Sequence, residues 1–223
     1  MRIAVLQPRT SASAAVDAPA LVSLVLRAAD AGADYLIHPA VPSLAGMDEP
    51  GLDDALDRFA HCLSSREAAE GWALFEGDLP DGLGPMAFLS GDACLSGSVL
   101  LQALAASPAS AVLMPGCESD LQAEAVLELA LGLSESLAGL VVVADSVGAA
   151  VGSPGHGGTA VILLGEVLAE AGEGEDLLIV DVGVPVPAPA PRAALPQIPP
   201  LLLQRRAVHR GEKPVPDYPA DLS

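Results

Sequence analysis

The chain has 223 residues, 51% apolar but only 3% aromatic, and its 29 Asp and Glu against 10 Lys and Arg give a net charge of −19. That length suits a single domain with a core of Ala, Val and Leu. A surface so acidic repels phosphate backbones, which excludes nucleic-acid binding through a basic footprint. No apolar run reaches the roughly 18 residues of a membrane-spanning helix. The opening Met1 to Gln7 reads as a strand, not a signal peptide, and three scattered cysteines suit a reducing, cytoplasmic setting.

Apolar residues recur alternately at period two and period 3.6, the pattern of an α/β sandwich. Ile3 to Leu6 predicts a first strand. A helix is expected to open near Asp17 with Pro19 in its first turn, to present Val22, Val25, Leu26 and Ala29, and to stop at Gly32. Tyr35 to Ile37 predicts a second strand. Leu52, Ala55, Leu56, Phe59 and Leu63 have helical spacing and predict an amphipathic helix, with Cys62 packed beside its apolar face. Trp72 to Phe75 is a short strand, followed by a turn-rich stretch from Asp78 to Pro85. Further strands are expected at Met86 to Leu89, Ala111 to Met114, Leu140 to Ala144, at Thr159 to Leu164 and Glu166 to Ala169 flanking a Gly165 turn, and at Leu177 to Val182. Helices are expected at Val99 to Ala106 and on the face made by Val126, Leu129, Ala130, Leu133 and Leu137.

Beyond Gly183 the composition changes. Pro185, Pro187, Pro189, Pro191, Pro196, Pro199 and Pro200 cannot donate to a β-ladder, so residues 184–223 read as an extended arm on a domain of residues 1–183. Arg205, Arg206, Arg210 and Lys213 make the arm basic enough to lie on the acidic body or on a second copy; the alternative reading is a disordered tail.

Several segments resemble the nitrilase (carbon–nitrogen hydrolase) superfamily. The opening "MRIAVLQPRT" resembles its first strand, and "AADAGADYLIHPAVPSLAG" its helix, second strand and loop. "GDACLSGSVLLQALAASPASAVLMPG" resembles the segment that carries the nucleophile, the crossover helix and the next strand. "LGLSESLAGLVVVADSVG" is similar to a later helix–strand pair, with Glu135 where the family has a structural glutamate. "GEVLAEAGEGEDLLIVDV" resembles the terminal hairpin. The resemblance covers residues 1 to about 183 with a shortened middle. It implies an αββα sandwich that dimerises through its helices.

The resemblance also implies a cysteine nucleophile, a glutamate base and a lysine that holds the tetrahedral oxyanion. A thiol near pKa 8.5 needs a base or a positive neighbour to react at neutral pH, and the oxyanion needs a preorganised donor. Cys94 falls at the nucleophile position. The base position, within a Pro-Glu pair in the family, is Ala40 in the pair Pro39-Ala40. His38, one residue before the pair, would point to the other side of a continued strand. The only lysine is Lys213, in the arm, and neither Lys nor Arg occurs among the 21 residues between Trp72 and Cys94.

His38, Cys94, Cys117 and His156 are candidates to converge at the strand ends as a pocket lining. Their chemistry would suit zinc, but their spacing matches no metal motif. The stretch Gly152 to Gly158 lacks the strand–GxGxxG–helix context of a dinucleotide site and reads as a mobile loop. The acidic clusters (Asp53, Asp54, Asp57; Glu173, Glu175, Asp176) read as solvated faces, and no cofactor is implied. We therefore expect a nitrilase-like protein without the family's chemistry, a cytoplasmic binding or assembly protein. It would form a homodimer or pair with an active homologue. The alternative is a cysteine-dependent hydrolase or acyl transferase on amide or nitrile substrates, using Cys94 with His38 or His156 as a recruited base.

Overall fold

A computed structural model describes residues 1–11, 14–39, 44, 47, 49–65, 72–74, 85–89, 104, 107, 109–116, 120–148 and 155–183. The first half contributes β1 (Arg2–Gln7), β2 (Arg9–Thr10), α1 (Ala14–Asp30), β3 (Tyr35–His38), α2 (Leu52–Leu56), β4 (His61–Ser64), β5 (Trp72–Leu74) and β6 (Met86–Leu89). The second half contributes β7 (Ala111–Pro115), α3 (Asp120–Leu137), β8 (Leu140–Ala144), β9 (Val147–Gly148), β10 (Gly155–His156), β11 (Ala160–Leu163), β12 (Glu166–Glu170) and β13 (Asp176–Asp181).

One sheet has the order β13-β1-β3-β4 and the other β12-β11-β8-β7-β6-β5. Strands β1, β3 and β4 are parallel, as are β6, β7 and β8, while β13, β11, β12 and β5 run antiparallel to their neighbours. Alternate residues of a strand face opposite sides, and the core divides accordingly. Ile3, Val5, Tyr35, Ile37, Phe88, Leu113, Val142 and Val180 fill the space between the sheets. Ala4, Leu6 and Leu36 turn outward onto Leu21, Val25 and Ala28 of α1. On the other side Val112, Met114, Val141 and Val143 meet Val126, Leu129, Ala130 and Leu133 of α3. The layers are helix, sheet, sheet, helix: an αββα sandwich.

Most expected strands are present within a residue or two. Helix α1 opens at Ala14 rather than Asp17, which leaves Pro19 inside it, where its missing N–H cannot reach the carbonyl of Ala15. Gly32, at φ 69°, ends the turn that follows.

The helix expected around residues 52–63 is a correction. It stops at Leu56, and His61–Ser64 is instead a strand parallel to β3. The Ala60 N–H donates to the Asp34 carbonyl at 2.7 Å, which starts this pairing. His, Cys and Ser are poor helix formers, and the vacant flank of β3 supplies a ladder. Cys62 is consequently exposed on β4, not packed in the core.

The terminal hairpin expected of residues 165–182 is a second correction. The turn expected at Gly165 is present and joins β11 to β12 as a hairpin, but β12 and β13 belong to different sheets and form no hairpin. The helix expected at 99–106, the turn-rich stretch 78–84 and the arm 184–223 lie outside the described residues. Among the described residues, no helix is long and apolar enough to cross a membrane.

Candidate functional site

Strands β1, β3, β4, β6, β7 and β8 all run toward one end of the sandwich, and the hydrogen bonds of Gln7 tie the two sheets together there. Gln7, the last residue of β1, is fully buried. Its Nε2 donates to the carbonyls of Gly172 and Gly174, each at 2.7 Å, and its Oε1 accepts from the Thr159 N–H at 3.1 Å. Asp145 and Thr159 join the end of β8 to the start of β11. The Asp145 N–H donates to Thr159 Oγ1, and that hydroxyl donates back to the Asp145 carbonyl, both at 3.1 Å.

The Asp145 carboxylate is buried and accepts from the Ser146 N–H at 2.7 Å. Gly116 lies directly against it, since a Cβ at that position would overlap the Asp145 side chain. A small sheet of order β10-β9-β2 covers this end. The Val147 N–H donates to the Pro8 carbonyl at 2.9 Å, and the Gly157 N–H to the Ser146 carbonyl at 2.8 Å. Residues 155–158 are therefore anchored strand and turn, which corrects the mobile-loop expectation for that part of the glycine-rich stretch.

His38 ends β3 and is buried. By alternation it shares the side of Leu36, toward α1, rather than the inter-sheet side of Tyr35 and Ile37. Its Nδ1 lies 2.8 Å from the Pro39 carbonyl. A carbonyl can only accept, so Nδ1 carries the proton and Nε2 the lone pair. Burial depresses the imidazole pKa below 6.5, and the bond to Pro39 only partly opposes this. His38 is thus a neutral imidazole at pH 7. His156 is half-buried on β10, opposite Val147.

The two histidines stand on different sheets. Among the described residues no group of His, Cys, Asp and Glu is arranged to hold a metal ion. Leu89 ends β6 five positions before Cys94, Gly116 immediately precedes Cys117, and Pro39 immediately precedes Ala40. Cys94, Cys117 and Ala40 themselves lie outside the described residues. Glu135 is an exposed residue of α3; its Cβ approaches the Gly165 turn, away from the strand ends. Arg2 pairs with Asp181 and Arg58 with Asp30, at the end where β1 and β3 begin. Arg9 lies exposed on β2, its N–H directed at Glu175. The acidic side chains at 53, 54, 57, 173 and 175 are exposed as expected.

Sequence reasoning missed Gln7, Asp145 and Thr159. The available signal was a polar residue directly ending an all-apolar strand, as in Leu6-Gln7 and Ala144-Asp145.

No model of a known protein family matches the sequence, and no curated protein matches it. Solved structures do. The NitN amidase from Nesterenkonia sp. AN1 superposes with a TM-score of 0.58 at 18% identity, covering 82% of this chain and 93% of that one. An amidase from Nesterenkonia sp. gives 0.57 at 20% identity and covers 95% of both chains. A cysteine-to-alanine variant of the Nesterenkonia AN1 amidase, described as from the nitrilase superfamily, gives 0.53 at 19% identity, covering 82% of this chain and 90% of that one. These neighbours show that this chain has the fold of those amidases, one of which is described as from the nitrilase superfamily.

Proposed function

We propose that this chain is a nitrilase-fold protein that does not hydrolyse carbon–nitrogen bonds and serves instead in binding or assembly. The observation that carries this reading is a deficit of chemistry in the sequence. The resemblance requires a glutamate where Ala40 stands and a lysine near the nucleophile, whereas the only lysine is Lys213 and no Lys or Arg occurs between Arg66 and Arg192. Removing a general base costs about 10²–10⁴ in rate, and removing an oxyanion donor costs about 10²–10³ more.

The test is a panel of aliphatic amides, nitriles and carbamoyl compounds, assayed with the unmodified chain and with Cys94→Ala. No turnover above background is expected from either. Ala40→Glu alone is expected to remain inactive because the oxyanion donor is still missing. Substantial hydrolysis abolished by Cys94→Ala would overturn the reading.

One observation favours a second reading, a cysteine-dependent hydrolase or acyl transferase acting through Cys94. His38 is a buried neutral imidazole with Nε2 as its acceptor, the protonation state a general base needs. Turnover lost in both Cys94→Ala and His38→Gln would support this alternative.

As an assembly protein the chain would form a homodimer or pair with an active homologue. The helix residues Val126, Leu129, Ala130, Leu133 and Leu137 are covered by the chain's own sheet, and Glu124, Glu128 and Glu135 are exposed on α3. An α3-to-α3 contact would therefore set acids against acids, so the dimer would use another face. Sedimentation at micromolar concentration is expected to show about 45 kDa; a species of 22.4 kDa alone would remove the homodimer.

A further inference from the structure

Strand β12 is the outer strand of its sheet among the described residues, and all of it but Ala169 is exposed. Exposed apolar side chains concentrate there: Leu164, in the turn before it, is 47% exposed, Val167 41% and Leu168 42%. The pairing with β11 shifts between Val161 and Ile162, which leaves Leu168 as the extra residue of a bulge. Along the free side of an edge strand the N–H and C=O groups point away from the sheet, and another extended backbone satisfies them.

Charge selects the occupant. Glu166 and Glu170 bracket Val167 and Leu168 and are both exposed, and neither takes part in the ion pairs among the described residues. Glu173 and Glu175 lie exposed just beyond. No Lys or Arg occurs between Arg66 and Arg192, so the strands of this sheet and α3 hold no cation of their own to set against these acids.

A second copy supplies none either. It would lay another Glu166 and Glu170 along the same edge, and like charges across a strand pair are destabilising. A bulge and bracketing charges guard an edge strand against indiscriminate pairing. They leave it open to a strand of opposite sign, whose cations meet the glutamates and whose apolar side chains cover Val167 and Leu168.

We propose that the free edge of β12 is a docking site for an extended segment of another protein, apolar at its centre and with a Lys or Arg on each side. The segment continues the six-stranded sheet by one strand. Such docking is one form of the binding or assembly proposed above, and the inference rests on that reading. The amide and nitrile panel tests that reading, and peptide binding tests only this edge, so either can fail alone.

Two capped pentapeptides, Lys-Val-Thr-Val-Lys and Glu-Val-Thr-Val-Glu, serve as probes, with binding to the full chain followed by NMR amide shifts. The symmetric spacing serves either strand direction, and the long lysine stem spans the one-residue offset of the bulge. The lysine peptide is expected to shift the amides of residues 166–170 saturably. The amides of β4, at the far edge of the other sheet, should not move. The glutamate peptide should bind about tenfold more weakly, since two opposed pairs change from unlike to like charge. Glu166→Lys/Glu170→Lys, at two exposed positions, should fold normally and reverse the preference. Absence of a saturable shift, equal affinity for the two peptides, or an unchanged preference in the variant would overturn the proposal. So would β12 amides that shift on dilution of the chain alone, since the edge would then belong to a second copy.

Discussion

Gln7→Leu is expected to lower the stability of the fold by about 3 kcal/mol, measured as a fall in the urea midpoint with an unchanged slope. Leucine retains much of the side-chain volume, so the change isolates the polar function. Three hydrogen bonds are lost: the Nε2 bonds to the Gly172 and Gly174 carbonyls, and the Oε1 bond from the Thr159 N–H. The Gly172 carbonyl belongs to an exposed residue and the Gly174 carbonyl to a half-buried one, so both can turn to water, and each loss costs about 1 kcal/mol net. Thr159 is fully buried, and leaving its N–H without an acceptor adds about 1–3 kcal/mol. Glutamate at the same position should fare no better, because a carboxylate cannot donate to either carbonyl. Glu173→Ala, on the exposed surface, is the control and should stay within about 0.5 kcal/mol of the unmodified chain. A loss below 1 kcal/mol for Gln7→Leu would show that the strand ends are not held together by this side chain.

What the sequence revealed, and what it hid, follows from the length of each signal. Helix α3 was legible because Val126, Leu129, Ala130, Leu133 and Leu137 repeat at one spacing over three turns and are all buried. The strands between the sheets were legible as continuous apolar runs buried on both faces, such as Leu140 to Ala144. Strand β4 was hidden because Phe59 and Leu63 happen to continue the spacing of Leu52, Ala55 and Leu56, and only pairing with β3 decides between the two periods. Strands β2, β9 and β10 have two residues each, too few for any period to show.

The strand-end cluster was hidden for a different reason. Gln7, Asp145 and Thr159 are far apart in sequence and meet only through topology. Cys94 and Ala40 were placed by the resemblance alone, and both lie outside the described residues.

The stability of the chain is expected to fall as the pH drops below about 6.5, and His38→Gln is expected to remove part of that fall. His38 is buried, and desolvation holds its folded pKa below 6.5 even though the Pro39 carbonyl favours the protonated ring. The unfolded chain therefore binds more protons at this position between the folded value and 6.5, so stability rises with pH across that window. Below the window both states are protonated and the dependence levels off. The contribution is present above 6.5 and is lost as the pH falls toward the folded value. A single proton sets the maximum slope at about 1.36 kcal/mol per pH unit. Glutamine removes the titration while keeping a donor for the Pro39 carbonyl. The pH dependence of the unmodified chain sums over every titrating group, so the informative quantity is the difference between the two chains. Urea unfolding between pH 5 and pH 8 measures it. The gap between unmodified chain and variant should change by up to about that slope across the window and stay flat above pH 7.5. A gap that does not vary with pH would mean that His38 titrates alike in the folded and unfolded chains, and its standing as a buried neutral imidazole, the one observation that favours a recruited base, would go with it.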